Sequence, residues 1–164
     1  MEKESIIIII QDSRERKPLI FSHPYIEGVK IEKLIVGDYH VEYKDKFRPN
    51  IIFERKSQND AVQTLTQNYR RYRKEILRAI ENKILLVMII ECSLTKFIKG
   101  IPESQRSGEE MLSQLFTISL KYKIPFVFCN TRQEAIRFIT EVYLAIGRKR
   151  LEDGNTNGLK ARRE

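Results

Sequence analysis

The sequence predicts an α/β fold, a central mixed β-sheet flanked by helices, and three observations carry that expectation. Residues 6–10 are isoleucine throughout and residues 84–90 are apolar throughout, runs too short and too uniform for helix stripes, so both read as strands buried on two faces. Other segments place apolar residues at helical spacing. The order, strands first and then strand and helix in alternation, is that of a sheet covered by helices.

Element by element, the strand at 6–10 ends in charge at Asp12. Residues 29–36 alternate loosely, Gly37 and Asp38 break them, and 39–43 resume an extended pattern, which predicts a hairpin-like turn near Gly37. Phe47-Arg48-Pro49-Asn50 punctuates the chain before a strand at 51–54. Asn59 or Asp60 is placed to cap a helix starting at Ala61. The stripe Val62, Leu65, Tyr69, Tyr72, Ile76, Leu77, Ile80 carries it to Asn82 as one long helix or two short ones. After the strand at 84–90 come a linker with Gly100 and Pro102, a helix over 108–122, a short strand at 125–129 and a last helix from Thr131 to about Ile146. Residues 148–164 alternate basic clusters with Asp-Gly-Asn-Thr-Asn-Gly, and a basic, disordered tail is expected behind a single domain at 1–147.

A chain of 164 residues supports one compact domain with its own core. Its 30 Lys and Arg against 22 Asp and Glu give +8. A surplus of that size gathers anionic polymers by counterion release, which favours nucleic acid over an acidic membrane surface as partner. The apolar runs fall short of the ~20 residues needed to span a bilayer, and no membrane association is expected. The acidic start of the chain argues against a secretory signal. Two cysteines, Cys92 and Cys129, and two histidines, His23 and His40, argue against a zinc site or a disulfide framework and for a reducing compartment.

Chemistry concentrates at strand ends: Asp12 and Glu15 after the first strand, Asp38 after Gly37, and Glu54 with Lys56 on the third. Residues i and i+2 of a strand share a face, so Glu54 and Lys56 project together while Arg55 points away. Carboxylates gathered at one sheet edge suit Mg²⁺, which takes one or two carboxylates plus water and phosphate oxygens. A lysine beside such an ion is placed to orient a water or help remove its proton.

Asp38-x15-Glu54-x-Lys56 resembles the PD-(D/E)XK nuclease core, and Gly37-Asp38 followed by Glu54-Arg55-Lys56, three residues and Asp60 resembles the GDxnERKx3D signature of XPF-type structure-specific nucleases. Asp12-Ser13-Arg14-Glu15 matches that family's opening acidic motif. The resemblance implies a restriction-endonuclease-like core and a Mg²⁺- or Mn²⁺-dependent endonuclease acting on branched, flap or junction DNA in repair or recombination. It implies a metal site using Asp38, Glu54 and the main-chain carbonyl of Arg55, with Asp12 and Glu15 nearby, Lys56 serving the water, and Arg55 and Asp60 in support. Family members pair as dimers and commonly carry a tandem helix-hairpin-helix domain after the nuclease. The stretch after Ile146 is too short for one, so the resemblance leaves the DNA grip either to another subunit or to the basic tail and the nuclease face. The alternatives are a non-catalytic DNA-binding partner in a heterodimer, or a Holliday-junction or restriction-like nuclease. The compartment follows the host: cytoplasm or nucleoid in a prokaryote or virus, nucleus in a eukaryote.

Plainer readings stand beside these. Asp60 serves equally as a helix cap, Asp12 and Glu15 as a solvated turn, and Glu91 as the end of its strand or a neighbour of the metal. Arg14, Arg55, Lys56, Arg70, Arg71 and Arg73 are candidates for phosphate contact, although Tyr69 and Tyr72 among them also fall on the helix's apolar stripe. Cys92 and Cys129 read as small buried hydrophobes. Wide apolar faces at 111–118 and 135–146 leave surplus surface for a homodimer.

Overall fold

Isoleucines on both faces make β1 (Ile7–Asp12) an inner strand, Ile7 and Ile9 packing into one layer and Ile10 into the other. The computed structural model describes residues 5–160, with side chains through Gly154. On one side of β1 lies β2 (Ile26–Glu32), parallel; on the other lies β3 (Tyr39–Tyr43), antiparallel. Antiparallel to β3 comes β4 (Ile51–Ser57), then β5 (Leu85–Glu91) and β6 (Phe126–Phe128), both parallel. The sheet is mixed, as the sequence predicts, and runs β2-β1-β3-β4-β5-β6. The hairpin does not form: β1 lies between β2 and β3, so the turn at Gly37 carries the chain across a strand instead of back onto its neighbour.

Helices cover both faces. On one, α5 (Arg132–Lys160) packs Ala135, Ile139 and Tyr143 on Ile7, Ile9, Tyr39, Val41, Phe53, Val87 and Ile89. Each such side chain, fully buried, contributes about 1.5–3 kcal/mol. The Tyr143 hydroxyl donates to the carbonyls of Tyr39 and Ile51, both at 3.0 Å, and the Tyr43 hydroxyl donates to the Tyr143 carbonyl at 2.6 Å. Helix and sheet are thus joined through polar groups that burial would otherwise leave bare.

The opposite face carries α1 (Gln58–Leu65), α2 (Tyr69–Glu81), α3 (Leu94–Lys99) and α4 (Gly108–Tyr122), packed on Met88 and Ile90 and, around Ala79 of α2, on Ile10, Val36, Ile52 and Leu86. Of the two forms expected for residues 61–82, the chain takes two helices. The first starts at Gln58, before Ala61, because Ser57 is its cap: the Ser57 hydroxyl accepts from the Asp60 N–H at 3.1 Å, a role expected of Asn59 or Asp60. Within the expected linker, Ser93 caps α3 in the same way, and Gly100 ends it at φ +76°. At the C-terminus, α5 passes Ile146 and runs to Lys160, so residues 148–160 are helical where a disordered tail was expected.

Gly37 is held at φ +74°, and a Cβ there would meet Ile52 Cγ2 at 2.5 Å and the Phe53 carbonyl oxygen at 3.0 Å. Both the backbone conformation and the space select glycine. Gly37→Ala is expected to cost about 3 kcal/mol, lowering the melting temperature by roughly 6–12 °C; thermal unfolding of the variant checks it.

Candidate active site

Three neighbouring strands bring the expected acids side by side. The Asp12 N–H donates to the Asp38 carbonyl and the Asp38 N–H to the Phe53 carbonyl, each at 2.8 Å, while the Arg55 N–H donates to Asp38 Oδ2 at 2.8 Å. The Asp38 side chain is thereby fixed against β4 at the point where Glu54 and Lys56 leave the strand. A cleft of about 260 Å³ opens there, lined by Asp12, Arg14, Gly37, Asp38, Glu54 and Lys56 from the sheet side. Thr64 of α1, Asn68 before α2, and Arg71, Tyr72 and Glu75 of α2 close the other wall.

Alternation works as the strand period requires. Glu54 and Lys56 face the cleft, with Lys56 Nζ 2.7 Å from Glu54 Oε1. Arg55 instead joins Glu15 and Glu91, its NH2 donating to Glu15 Oε1 and its NH1 to Glu91 Oε2, both at 3.1 Å. Arg55, Glu15 and Glu91 form a buried cluster of one cation and two carboxylates, and the Arg55 NH2 also holds the Lys17 carbonyl at 2.8 Å.

Asp12 lines the cleft but its oxygens are taken. Oδ2 accepts from Arg14 Nε at 2.8 Å, and Oδ1 from Arg14 NH2 at 3.0 Å and from the Leu34 N–H at 2.8 Å. Burial pushes its carboxyl up, but these bonds win and hold it below the usual range. Arg14 is thereby posed on the cleft wall. Among the other expected residues, Arg71 lines the cleft, Arg73 Nε donates to the Tyr122 hydroxyl at 3.2 Å, and Arg70 and Asp60 are exposed and do not line it.

Burial is the first cause that raises Asp38, to about 7, and Glu54, to about 8. Mutual repulsion adds to it: Glu15 and Glu75 oppose the charge of Asp38, and Asp38 and Glu75 oppose that of Glu54, against relief from Lys56. Burial disfavours the Lys56 ammonium, yet Glu54 beside it holds its pKa above the usual lysine value. In the folded chain these two acids hold protons that the unfolded chain has released, so stability falls as pH rises from about 4 to about 8. An asparagine in place of Asp38 has no proton to lose. Without metal, the melting temperature of Asp38→Asn minus that of the wild type is therefore expected to grow as pH is raised from about 5 to about 8. A constant difference would show that Asp38 ionises normally.

Glu75 was not read from the sequence, and it joins Asp12, Asp38 and Glu54 as the fourth carboxylate lining the cleft; its Oε1 accepts from the Gly37 N–H at 3.3 Å. The signal was present in the spacing. Positions 68, 71, 72 and 75 stand at i, i+3, i+4 and i+7, one face of a helix, and three of the four are polar. On the same wall, the Tyr72 hydroxyl is buried with no hydrogen-bond partner among the described residues, a condition that costs about 1–3 kcal/mol.

Two carboxylates facing a cleft, each destabilised by its neighbours' charge, suit a hard divalent cation held jointly with water and phosphate. They do not form a cage: no group of three or more His, Cys, Asp or Glu among the described residues is arranged to hold a metal.

Comparison with known proteins agrees with this geometry. The ERCC4 domain family matches residues 11–142. The fold is similar to that of XPF from Aeropyrum pernix, at a TM-score of 0.62 and 20% identity over 91% of this chain and 69% of that one. It is similar also to XPF from Aeropyrum pernix solved in complex with DNA, at a TM-score of 0.60 and 22% identity over 87% of this chain and 65% of that one, less than two thirds of its length. No curated protein sequence matches. The sheet order, the acid cleft and the match over most of its length agree: the chain belongs to the ERCC4 domain family, with an XPF-type nuclease fold.

Proposed function

We propose that this chain is a divalent-metal-dependent DNA endonuclease of XPF type, acting at branched, flap or junction DNA in repair or recombination. The observation that carries the reading is the meeting of Asp38, Glu54 and Lys56 in one open cleft with Arg14 and Arg71 on its walls. Family membership supports the coarser part, a DNA nuclease, and a similar structure solved with DNA supports the substrate class.

Asp38 and Glu54 would hold Mg²⁺ or Mn²⁺, with the Arg55 carbonyl as the resemblance implies. Asp12 and Glu15 serve beside them by fixing Arg14 and Arg55. The ion, when bound, lowers the pKa of a water and polarises the phosphate. Lys56, kept as the ammonium by Glu54 beside it, orients the attacking water. Arg14 and Arg71 steady the flanking phosphates, and hydrolysis leaves a 5′-phosphate and a 3′-hydroxyl.

The acting unit is residues 1–147 as a homodimer, in the cytoplasm or nucleoid of a prokaryote or virus or the nucleus of a eukaryote, with a separate DNA-binding subunit as a further partner. Exposed Phe116 and Leu120 on α4 and the apolar groove of Val127, Phe128 and Phe138 beside α5 support pairing of two copies. No helix among the described residues is long and apolar enough to cross a membrane. A non-catalytic scaffold is disfavoured because Asp38, Glu54 and Lys56 are all in place. Incubation with flap, fork, four-way junction and linear duplex, with and without Mg²⁺, tests the reading. Metal-dependent nicking of branched DNA is expected, and no cutting of any substrate would refute it.

A further inference from the structure

The cleft holds one hydroxyl that fold packing leaves without a purpose. Tyr72 is 3% exposed, and its hydroxyl has no partner among the described residues. The other core phenols are all served: Tyr39 accepts from the Leu19 N–H at 2.8 Å, Tyr43 donates to the Tyr143 carbonyl, and Tyr143 donates to two carbonyls. A phenylalanine would fill the Tyr72 ring site and leave no donor bare.

The ring lines the same cleft as Asp38, Glu54 and Lys56, with Lys56 Nζ 6.0 Å from its centroid. Burial first, then the charges of Glu54 and Glu75, raise its pKa, so the phenol keeps its proton. Lys56 is already engaged with Glu54, and Arg14 with Asp12 and the Leu34 carbonyl. Tyr72 is left as a neutral donor with no acceptor among the described residues. A neutral donor bonds a phosphate oxygen without adding charge to a crowded cluster, and a fixed donor counts most where negative charge develops.

We propose that Tyr72 contacts the substrate, its hydroxyl donating a hydrogen bond to a non-bridging oxygen of the phosphodiester being cut. This rests on the nuclease reading above. The test compares wild type with Tyr72→Phe in kcat, KM, melting temperature and affinity for the same branched DNA in EDTA. Expected are a kcat lower by roughly 100-fold, KM and EDTA affinity within about twofold, and a melting temperature unchanged or higher because a bare buried hydroxyl has gone. Equal kcat in an active wild type would overturn the inference alone, making Tyr72 a packing residue. A kcat loss accompanied by a drop of more than about 5 °C in melting temperature would overturn it too. A wild type that cuts no DNA would overturn the inference together with the nuclease reading.

Discussion

Lys56→Ala is expected to slow DNA cleavage by about 10²–10³-fold, the range for removing one positioned hydrogen-bond donor, while affinity for the same DNA in EDTA changes by less than about threefold. Lys56 stands within the cleft, partly shielded and held on Glu54 at 2.7 Å, so it acts at one point and adds little to the long-range attraction of a chain with 30 basic residues. Glu54 tolerates the loss by keeping its proton, since burial already raises its pKa to about 8, and the fold should survive. Single-turnover cleavage and equilibrium binding on one labelled junction measure both effects. Equal loss of binding and cutting would make Lys56 a phosphate anchor, and no loss of either would remove it from the chemistry.

Arg55→Met is expected to cost about 3–5 kcal/mol of stability, the scale for removing one partner of a buried ion pair, or a fall of roughly 6–20 °C in melting temperature. The side chains of Arg55, Glu15 and Glu91 are only 10%, 8% and 11% exposed, so both carboxylates would be left without a counter-charge, while the Lys17 carbonyl would keep its bond from Arg132 NH2 at 3.0 Å. Adding Glu15→Gln should restore part of the loss, a coupling that thermal unfolding of the two single variants and the double variant would expose. A change within about 0.5 kcal/mol would mean that the three groups are solvated and the cluster is incidental.

How far the sequence could be read follows from the range of each signal. Glu54 and Lys56 were legible because the strand period of two fixes which side chains share a face, and β4 obeys it. Asp38 was legible as an acid beside a break, but its fixing by the Arg55 N–H depends on β3 lying next to β4, a pairing no local pattern reveals. The same gap misplaced the hairpin: Gly37 marks a turn, while the insertion of β1 between β2 and β3 is set by which apolar faces find cover. Glu75 escaped because α2 was read by its apolar stripe, on which Tyr72 already stood among candidate phosphate-binding arginines. The last helix, expected to end near Ile146, runs on through Gly147. A Cβ at 147 would lie 2.7 Å from Ser5 Cβ and 2.9 Å from Tyr43 Cε1, so that glycine serves close packing on the sheet.

Single-turnover cleavage of one branched DNA in Mg²⁺ by wild type and by Asp38→Asn, at matched fold stability, bears most directly on the nuclease assignment. The asparagine keeps the Arg55 N–H bond but cannot supply the charge. Cutting by the wild type, with a loss of about 10³-fold or more in the variant, is the expected result. Equal rates for the two proteins would place the chemistry elsewhere and remove this cleft as the active site.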